Sequence, residues 1–109
     1  MAGYYVVLFR NRLRECDMQD YEETAHQMNI LVASIPGYMD HKSYNAEDGE
    51  RLTVSRFRSL EAIKAWRKQA DHAKAQAKGR REFYNWYNLE VCEVSYQNEF
   101  EAQKPSTEP

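Results

Sequence analysis

The run Tyr4-Tyr5-Val6-Val7-Leu8-Phe9 decides the fold, because all six of its side chains are aliphatic or aromatic. A strand with one face in water alternates apolar and polar residues, whereas an unbroken run of aromatic and β-branched residues is typical of a strand covered on both faces. We therefore predict a central β-strand over these residues, with a layer of protein against each of its faces.

A helix and a hairpin are predicted to follow this strand. Asp17 is a good N-cap, and apolar residues recur after it at intervals of three and four until Pro36-Gly37 ends the pattern. The segments 38–45 and 52–57 have the composition of strands, and the turn residues Glu47-Asp48-Gly49-Glu50 lie between them. This arrangement predicts a β-hairpin.

A second helix is predicted to begin after Ser59, which can cap it. Asp71 offers another capping position inside the pattern, so we expect a break there and a restart that ends at Lys78-Gly79. In an unbroken helix, His72 would lie roughly 120° around the axis from Trp66, since six residues turn through about 600°. The break could bring both side chains to one cavity.

A last strand over residues 89–96 completes the order βαββαβ. This order is typical of a ferredoxin-like α+β domain with a four-stranded antiparallel sheet, here spanning residues 1–97. The polar C-terminal tail, residues 98–109, is expected to be disordered. Because both helices cover one face of the sheet, the apolar first strand leaves the other face to a second copy, and we expect a homodimer whose sheets meet face to face.

Composition and charge argue against several classes of protein. A formal net charge of -2 provides no basic field that would attract nucleic acid or an anionic membrane. The longest apolar run is far shorter than the ~20 residues that a membrane span requires. The two cysteines have no paired spacing, and the N-terminus has no signal-peptide pattern. We therefore expect a soluble, cytoplasmic protein.

The chain also lacks the motifs of common nucleotide, nucleophile and metal sites. It contains no GxGxxG, no GxxxxGK[ST] and no GxSxG. Its three histidines, His26, His41 and His72, fall on three different predicted elements with no zinc-like spacing. We expect neither a bound metal nor a cofactor.

With this pattern in place, the sequence resembles the antibiotic biosynthesis monooxygenase family, whose members are ferredoxin-like proteins that pair into dimeric α+β barrels. The resemblance spans about Tyr4 to Tyr96. It is carried by Ile35-Pro36-Gly37-Tyr38, residues 52–57, residues 59–66, His72 and residues 79–84. The family includes cofactor-free oxygenases of aromatic polyketides, quinol oxygenases, haem-degrading enzymes and signal-processing proteins.

Aromatic residues are concentrated between Trp66 and Tyr87, around one histidine and two arginines. Trp66 is either a core residue or a wall that stacks against a planar substrate. His72 is either a partly exposed residue at a helix start or a group that takes a proton from a phenol or binds haem iron. Tyr84 either packs or donates a hydrogen bond, and so does Tyr87. The cluster predicts a pocket for a flat organic ligand.

Two polar residues outside this cluster are further candidates. Asn11 follows the first strand, where the resemblance implies an amide that holds an oxyanion or O2, although a turn residue is the alternative. Arg56 interrupts an apolar strand, so it reaches either solvent or the cavity, where it would stabilise an enolate or phenolate. The candidate catalytic residues are His72, Trp66, Asn11 and Arg56, and the candidate substrate-binding residues are Phe57, Arg81, Tyr84 and Tyr87.

We expect a small monooxygenase that oxidises a phenolic, quinol or polyketide-like aromatic substrate with O2 and no cofactor. Such a reaction needs a substrate that can itself supply an electron to O2. The alternatives are a haem-binding or haem-degrading enzyme and a non-catalytic dimer that binds a small ligand. For the haem alternative, the resemblance implies an iron-ligating histidine at the position of Gln76, and His72 lies one turn earlier.

Overall fold

The computed structural model describes residues 3–103. Its elements are, in chain order, β1 (Tyr5–Leu13), α1 (Met18–Val32), β2 (Tyr38–Asn45), β3 (Arg51–Phe57), α2 (Leu60–Lys68), α3 (Ala70–Lys78), a π-helical turn (Gly79–Phe83) and β4 (Tyr84–Glu93). The four strands form one antiparallel sheet in the order β2-β3-β1-β4. The ferredoxin-like α+β fold predicted from the sequence is confirmed, and the opening apolar run lies in a central strand.

The side chains of β1 alternate between the two faces of the sheet. Tyr5 and Val7 pack against the core beneath the helices, and Phe9 lies on the same face. Val6 and Leu8 point to the opposite face, where both are only partly buried. The strand is therefore apolar on both faces, as predicted, and the described chain provides a helical layer for one of them.

The face away from the helices has an apolar centre and a charged rim. Leu8 of β1 lies beside Val54 of β3, and the neighbouring positions carry Val6 and Leu52. The rim includes the Arg10–Glu50 ion pair, with 2.8 Å between Nε and Oε2. An apolar centre within a polar rim is typical of a surface that pairs with another protein.

The core lies between the sheet and the first two helices. It contains Val32, Phe57, Ala62 and Ile63, and the side chain of Phe57 is only 1% exposed. Gly37 permits this packing, because a Cβ at that position would lie 2.8 Å from the Cβ of Ala62, and its φ of +93° favours glycine. The turn at Pro36-Gly37 thus packs closely against α2 and leads directly into β2.

The longest helix begins where the sequence predicts. The side chain of Asp17 accepts a hydrogen bond of 3.1 Å from the backbone N–H of Asp20, and α1 then runs for 15 residues. Among residues 3–103, no helix has both the length and the apolar character to cross a bilayer.

The second helical segment breaks at Gln69, two residues before the predicted position. Gln69 has an extended backbone with ψ 126°, and its Oε1 accepts hydrogen bonds from the backbone N–H of Asp71 at 2.7 Å and of His72 at 3.0 Å. The predicted break is therefore present, but Gln69, which is not among the preferred N-cap residues, provides the cap instead of Asp71.

The α-helix α3 ends at Lys78 with Gly79 as its C-cap, as predicted, but the chain does not leave the helical path there. Gly79 keeps a helical φ of −59° and leads into the π-helical turn. A Cβ on Gly79 would lie 2.6 Å from the ring of Tyr84, so glycine is required there for close packing. As a result, β4 begins at Tyr84, earlier than the predicted start at Leu89.

The chain after β4 has no regular secondary structure as far as residue 103. Val94 still pairs with the residue that precedes β1, because its N–H donates to the carbonyl of Tyr4 at 3.0 Å. Tyr96 and Phe100 are exposed. The disordered tail predicted over residues 98–109 falls partly on residues 104–109, which lie outside the described part of the chain.

Candidate functional site

A cavity of about 360 Å³ lies between the sheet and the helices. Its floor is the inward-facing side of all four strands, and its roof is made by α1, α2 and α3. Six of the eight residues singled out in the sequence line it, namely Asn11, Phe57, Trp66, His72, Tyr84 and Tyr87. A cavity of this volume is within the size range of small-molecule sites.

The rings of Trp66 and His72 stack in parallel. Their centroids are 3.8 Å apart, and the angle between the ring planes is 11°. The break at Gln69 produces this contact, because it redirects the chain between the two residues. One face of the indole is thus occupied by the imidazole, and Trp66 supports His72 while its remaining surface forms part of the cavity wall.

A hydrogen bond fixes the tautomer of His72. Its Nδ1 lies 2.8 Å from the backbone carbonyl oxygen of Trp66, which can only accept, so Nδ1 carries the proton. Burial lowers the pKa of His72, and the hydrogen bond to Trp66 acts in the opposite direction. In the neutral ring, Nε2 is left with a free lone pair, which can take a proton or ligate a metal.

Aromatic side chains form another wall of the cavity. The ring centroid of Phe9 lies 5.5 Å from that of Tyr84 and 5.5 Å from that of Tyr87. The ring of Tyr21 in α1 packs edge-on against Tyr84, with 6.5 Å between the centroids. Burial raises the pKa of Tyr84 far above its usual range. The phenol of Tyr84 therefore stays protonated, and it can donate a hydrogen bond but cannot serve as a base.

Asn11 lies at the floor of the cavity, and its side chain is almost fully buried, with 2% exposed. Its Oδ1 has no hydrogen-bond partner among the described residues. Buried polar atoms in folded proteins are nearly always hydrogen-bonded, so an unpaired one beside a cavity indicates a position where a ligand or water completes the site.

Arg56 and Arg81, the other two candidates, do not line the cavity. Arg56 lies on the opposite face of the sheet, where its guanidinium is 3.6 Å from a carboxylate oxygen of Asp40. Arg81 is exposed in the π-helical turn and pairs with Glu82 at 2.9 Å. The expectation that Arg56 reaches the cavity is wrong, because Phe57 faces the core and alternation turns its neighbour outward.

Arg51 and His41 line the cavity, although neither was among the candidate site residues from the sequence. Arg51, at the start of β3, shares the inward face with Phe57, and its guanidinium lies 5.1 Å from the ring centroid of Tyr21. His41 of β2 also lines the cavity, and its Nδ1 is hydrogen-bonded to the hydroxyl of Tyr38. Counting in steps of two from Phe57 would have placed Arg51 on the correct face.

The comparison with known families identifies the chain. The model of the antibiotic biosynthesis monooxygenase family matches residues 4–78. The chain belongs to this family. A Bacillus subtilis (strain 168) member, the uncharacterized protein YqjZ, is 38% identical over 98 residues, which cover 90% of this chain and 85% of YqjZ.

Another relative is the jasmonate monooxygenase ABM of Pyricularia oryzae, which is 28% identical over 93 residues. The match covers 84% of this chain and 43% of the fungal protein, so the chain spans less than half of that relative. Among solved structures, SnoaB, a cofactor-independent oxygenase from Streptomyces nogalater, superposes with a TM-score of 0.73 at 11% identity and covers 88% of this chain and 97% of SnoaB. Rv0793 from Mycobacterium tuberculosis superposes with a TM-score of 0.72 at 18% identity, and the match covers 88% of this chain and 97% of Rv0793. These two likenesses establish the fold.

The lowered pKa of His72 predicts a pH-dependent stability. Because burial lowers the pKa of the folded ring below the value near 6.5 that it has in the unfolded chain, the unfolded state binds more protons below about pH 6.5, and the free energy of unfolding falls there as pH decreases. The variant His72→Gln should lose stability less steeply between pH 6.5 and 5 in urea unfolding, and the two curves should run parallel above pH 7. Parallel curves over the whole range would contradict the buried, neutral imidazole.

Proposed function

We propose that the protein is a cofactor-independent monooxygenase whose substrate is a small phenol, quinol or enolisable aromatic compound. The observation that carries the proposal is the tautomer of His72, which leaves a basic nitrogen on a side chain that lines a largely apolar cavity. Membership of the monooxygenase family supports it. So do the descriptions of two similar proteins, one a jasmonate monooxygenase and the other a cofactor-independent oxygenase.

The proposed reaction begins when Nε2 of His72 removes a proton from the substrate. The resulting carbanion or phenolate gives one electron to O2, and the radical pair combines to a peroxide anion at carbon. The His72 imidazolium returns its proton to that anion, and the hydroperoxide loses water to leave a carbonyl group. A methylene group and O2 thus become a carbonyl group and water, so the substrate supplies all the electrons.

The remaining cavity residues assist this chemistry in distinct ways. Trp66 holds the imidazole in place through the ring stack and the hydrogen bond to its backbone carbonyl. The protonated phenol of Tyr84 and the carboxamide of Asn11 provide hydrogen-bond donors that hold a polar group of the substrate and so orient it in the cavity. A substrate that fills the cavity would displace water from it, which would strengthen these interactions and protect the carbanion from competing protonation.

Oxygen consumption with a panel of anthrones and hydroquinones tests the proposal. A general base contributes about 10²–10⁴-fold, so His72→Gln should lower kcat/KM by at least about 10²-fold with an active substrate. The matched control is His26→Gln, which removes an exposed histidine of α1 outside the cavity and should leave the rate unchanged. Equal rates in the wild type and His72→Gln would contradict the assignment of the base.

Haem binding is the second candidate, because an asparagine, a tryptophan and a histidine, the residue types of haem-degrading family members, line one cavity as Asn11, Trp66 and His72. His72 would hold the iron through Nε2, and haem would supply activation of O2. A haemin titration decides between the candidates. A Soret shift that His72→Gln abolishes would favour haem, whereas a wild-type protein without a shift would dismiss it.

We also propose that two copies pair through the sheet face that the helices leave open. The support is its apolar centre around Leu8 and Val54, which is only partly buried in one copy. Covering these side chains would stabilise the pair by the hydrophobic effect, and the charged rim would fix the register.

Sedimentation velocity tests this pairing. The wild type should sediment as a dimer, and Val54→Arg should yield monomers, because an unpaired guanidinium would be buried at the centre of the interface. The control Ile30→Arg introduces the same charge at an exposed position of α1 and should remain dimeric. A wild-type monomer at micromolar concentration would refute the pairing.

A further inference from the structure

Arg51 is an arginine whose charge the described chain does not neutralise. Arg10, Arg12, Arg56 and Arg81 each lie within 4 Å of a carboxylate oxygen. Two arginines line the cavity, Arg51 and Arg67, and neither has such a partner within residues 3–103. Arg51 is partly buried, whereas Arg67 is exposed. A cation that faces a cavity without an acidic partner is a candidate position for a ligand anion.

The side chain of Tyr21 holds Arg51 in position. The guanidinium carbon lies 5.1 Å from the centroid of the Tyr21 ring, a distance at which the cation and the π face attract each other. Tyr21 in turn packs edge-on against Phe83, with 5.3 Å between the ring centroids. The guanidinium therefore rests on an aromatic surface, and its edge remains available for hydrogen bonds.

Asn11 is the direct neighbour of Arg51 in the sheet. The two residues are paired across β1 and β3, so their side chains point to the same face with Cβ atoms about 5 Å apart. The Oδ1 of Asn11 is buried without a partner. Rotation of the carboxamide by 180° exchanges its oxygen and nitrogen, so the same position can also donate a hydrogen bond. The guanidinium of Arg51 and the carboxamide of Asn11 therefore lie side by side in the cavity, the first without an acidic partner and the second with an unpaired oxygen.

We propose that Arg51 and Asn11 bind the carboxylate of an organic acid whose apolar body fills the cavity. A guanidinium presents two parallel N–H groups that match the two oxygens of a carboxylate, and the Asn11 amide adds a third donor. This proposal rests on the proposed function, because the organic acid is the class of molecule that the oxygenase would take as its substrate.

The position of this pair defines the orientation of the ligand. Arg51 and Ser55 are four residues apart on β3, which corresponds to about 13 Å along an extended strand. Trp66, against which the ring of His72 stacks, packs against the core cluster that contains Phe57. Phe57 follows Ser55 on β3, so His72 lies toward the end of the strand away from Arg51. The ligand would therefore place its carboxylate and its reactive C–H or O–H group at opposite ends, on the order of 10 Å apart. Between them the cavity presents the apolar side chains of Phe9 and Leu89.

Calorimetric titration with 4-phenylbutyrate and with its neutral amide, 4-phenylbutyramide, tests the carboxylate site. The wild type should bind the acid at least about 10-fold more tightly than the amide, since a hydrogen bond to a charged group adds roughly one to two powers of ten in affinity. The variant Arg51→Gln should lose this preference and keep its affinity for the amide, which also shows that the cavity is intact.

The matched control is Arg56→Gln, which removes the same charge from the same strand on the opposite face and should keep the preference for the acid. Equal affinity of the wild type for acid and amide, no binding of either, or acid binding that survives Arg51→Gln would each overturn the carboxylate site. Binding is measured without oxygen chemistry, so a preference for the acid in a protein that consumes no O2 would count against the oxygenase alone. Conversely, O2 uptake with neutral substrates that does not depend on Arg51 would count against this site alone.

Discussion

The interruption of the helix at Gln69 is the constraint on which the site depends. In a continuous helix the carbonyl of Trp66 would accept from the N–H of residue 70, and His72 would point elsewhere. Because the helix breaks, that carbonyl instead accepts hydrogen bonds from the N–H of Gln69 at 3.2 Å and from Nδ1 of His72 at 2.8 Å. One local change of backbone direction therefore fixes the ring stack, the tautomer and the free Nε2.

The sheet contributes the space in which that nitrogen can act. On the inward face of β3, Phe57 is large and fills the core, whereas Thr53 and Ser55 are small, as is Ser43 of β2 beside Thr53. Small residues at these positions leave volume beneath the helices that Leu or Phe would occupy. The same alternation places Val54 and Arg56 on the other face, so the cavity and the proposed pairing surface belong to opposite sides of one sheet.

The sequence predicts the fold well because its signals are local and repeated. The apolar opening run, the Asp17 and Ser59 caps and the hairpin turn all act over a few residues. The errors have tertiary causes. The close approach of Tyr84 requires glycine at position 79, and the face that Arg56 occupies depends on which neighbour enters the core. Neither packing relationship follows from the order of residues alone. Once Phe57 is known to face the core, however, strand alternation also places Arg51 on the inward face beside Asn11.

The protonation of His72 tests the account most directly. A long-range ¹H–¹⁵N correlation spectrum of the histidine rings at pH 7, assigned by comparison with His72→Gln, reports which nitrogen carries the proton. The account predicts a neutral His72 ring with a protonated Nδ1 and an unprotonated Nε2. A ring protonated on Nε2, or a doubly protonated imidazolium at this pH, would contradict it.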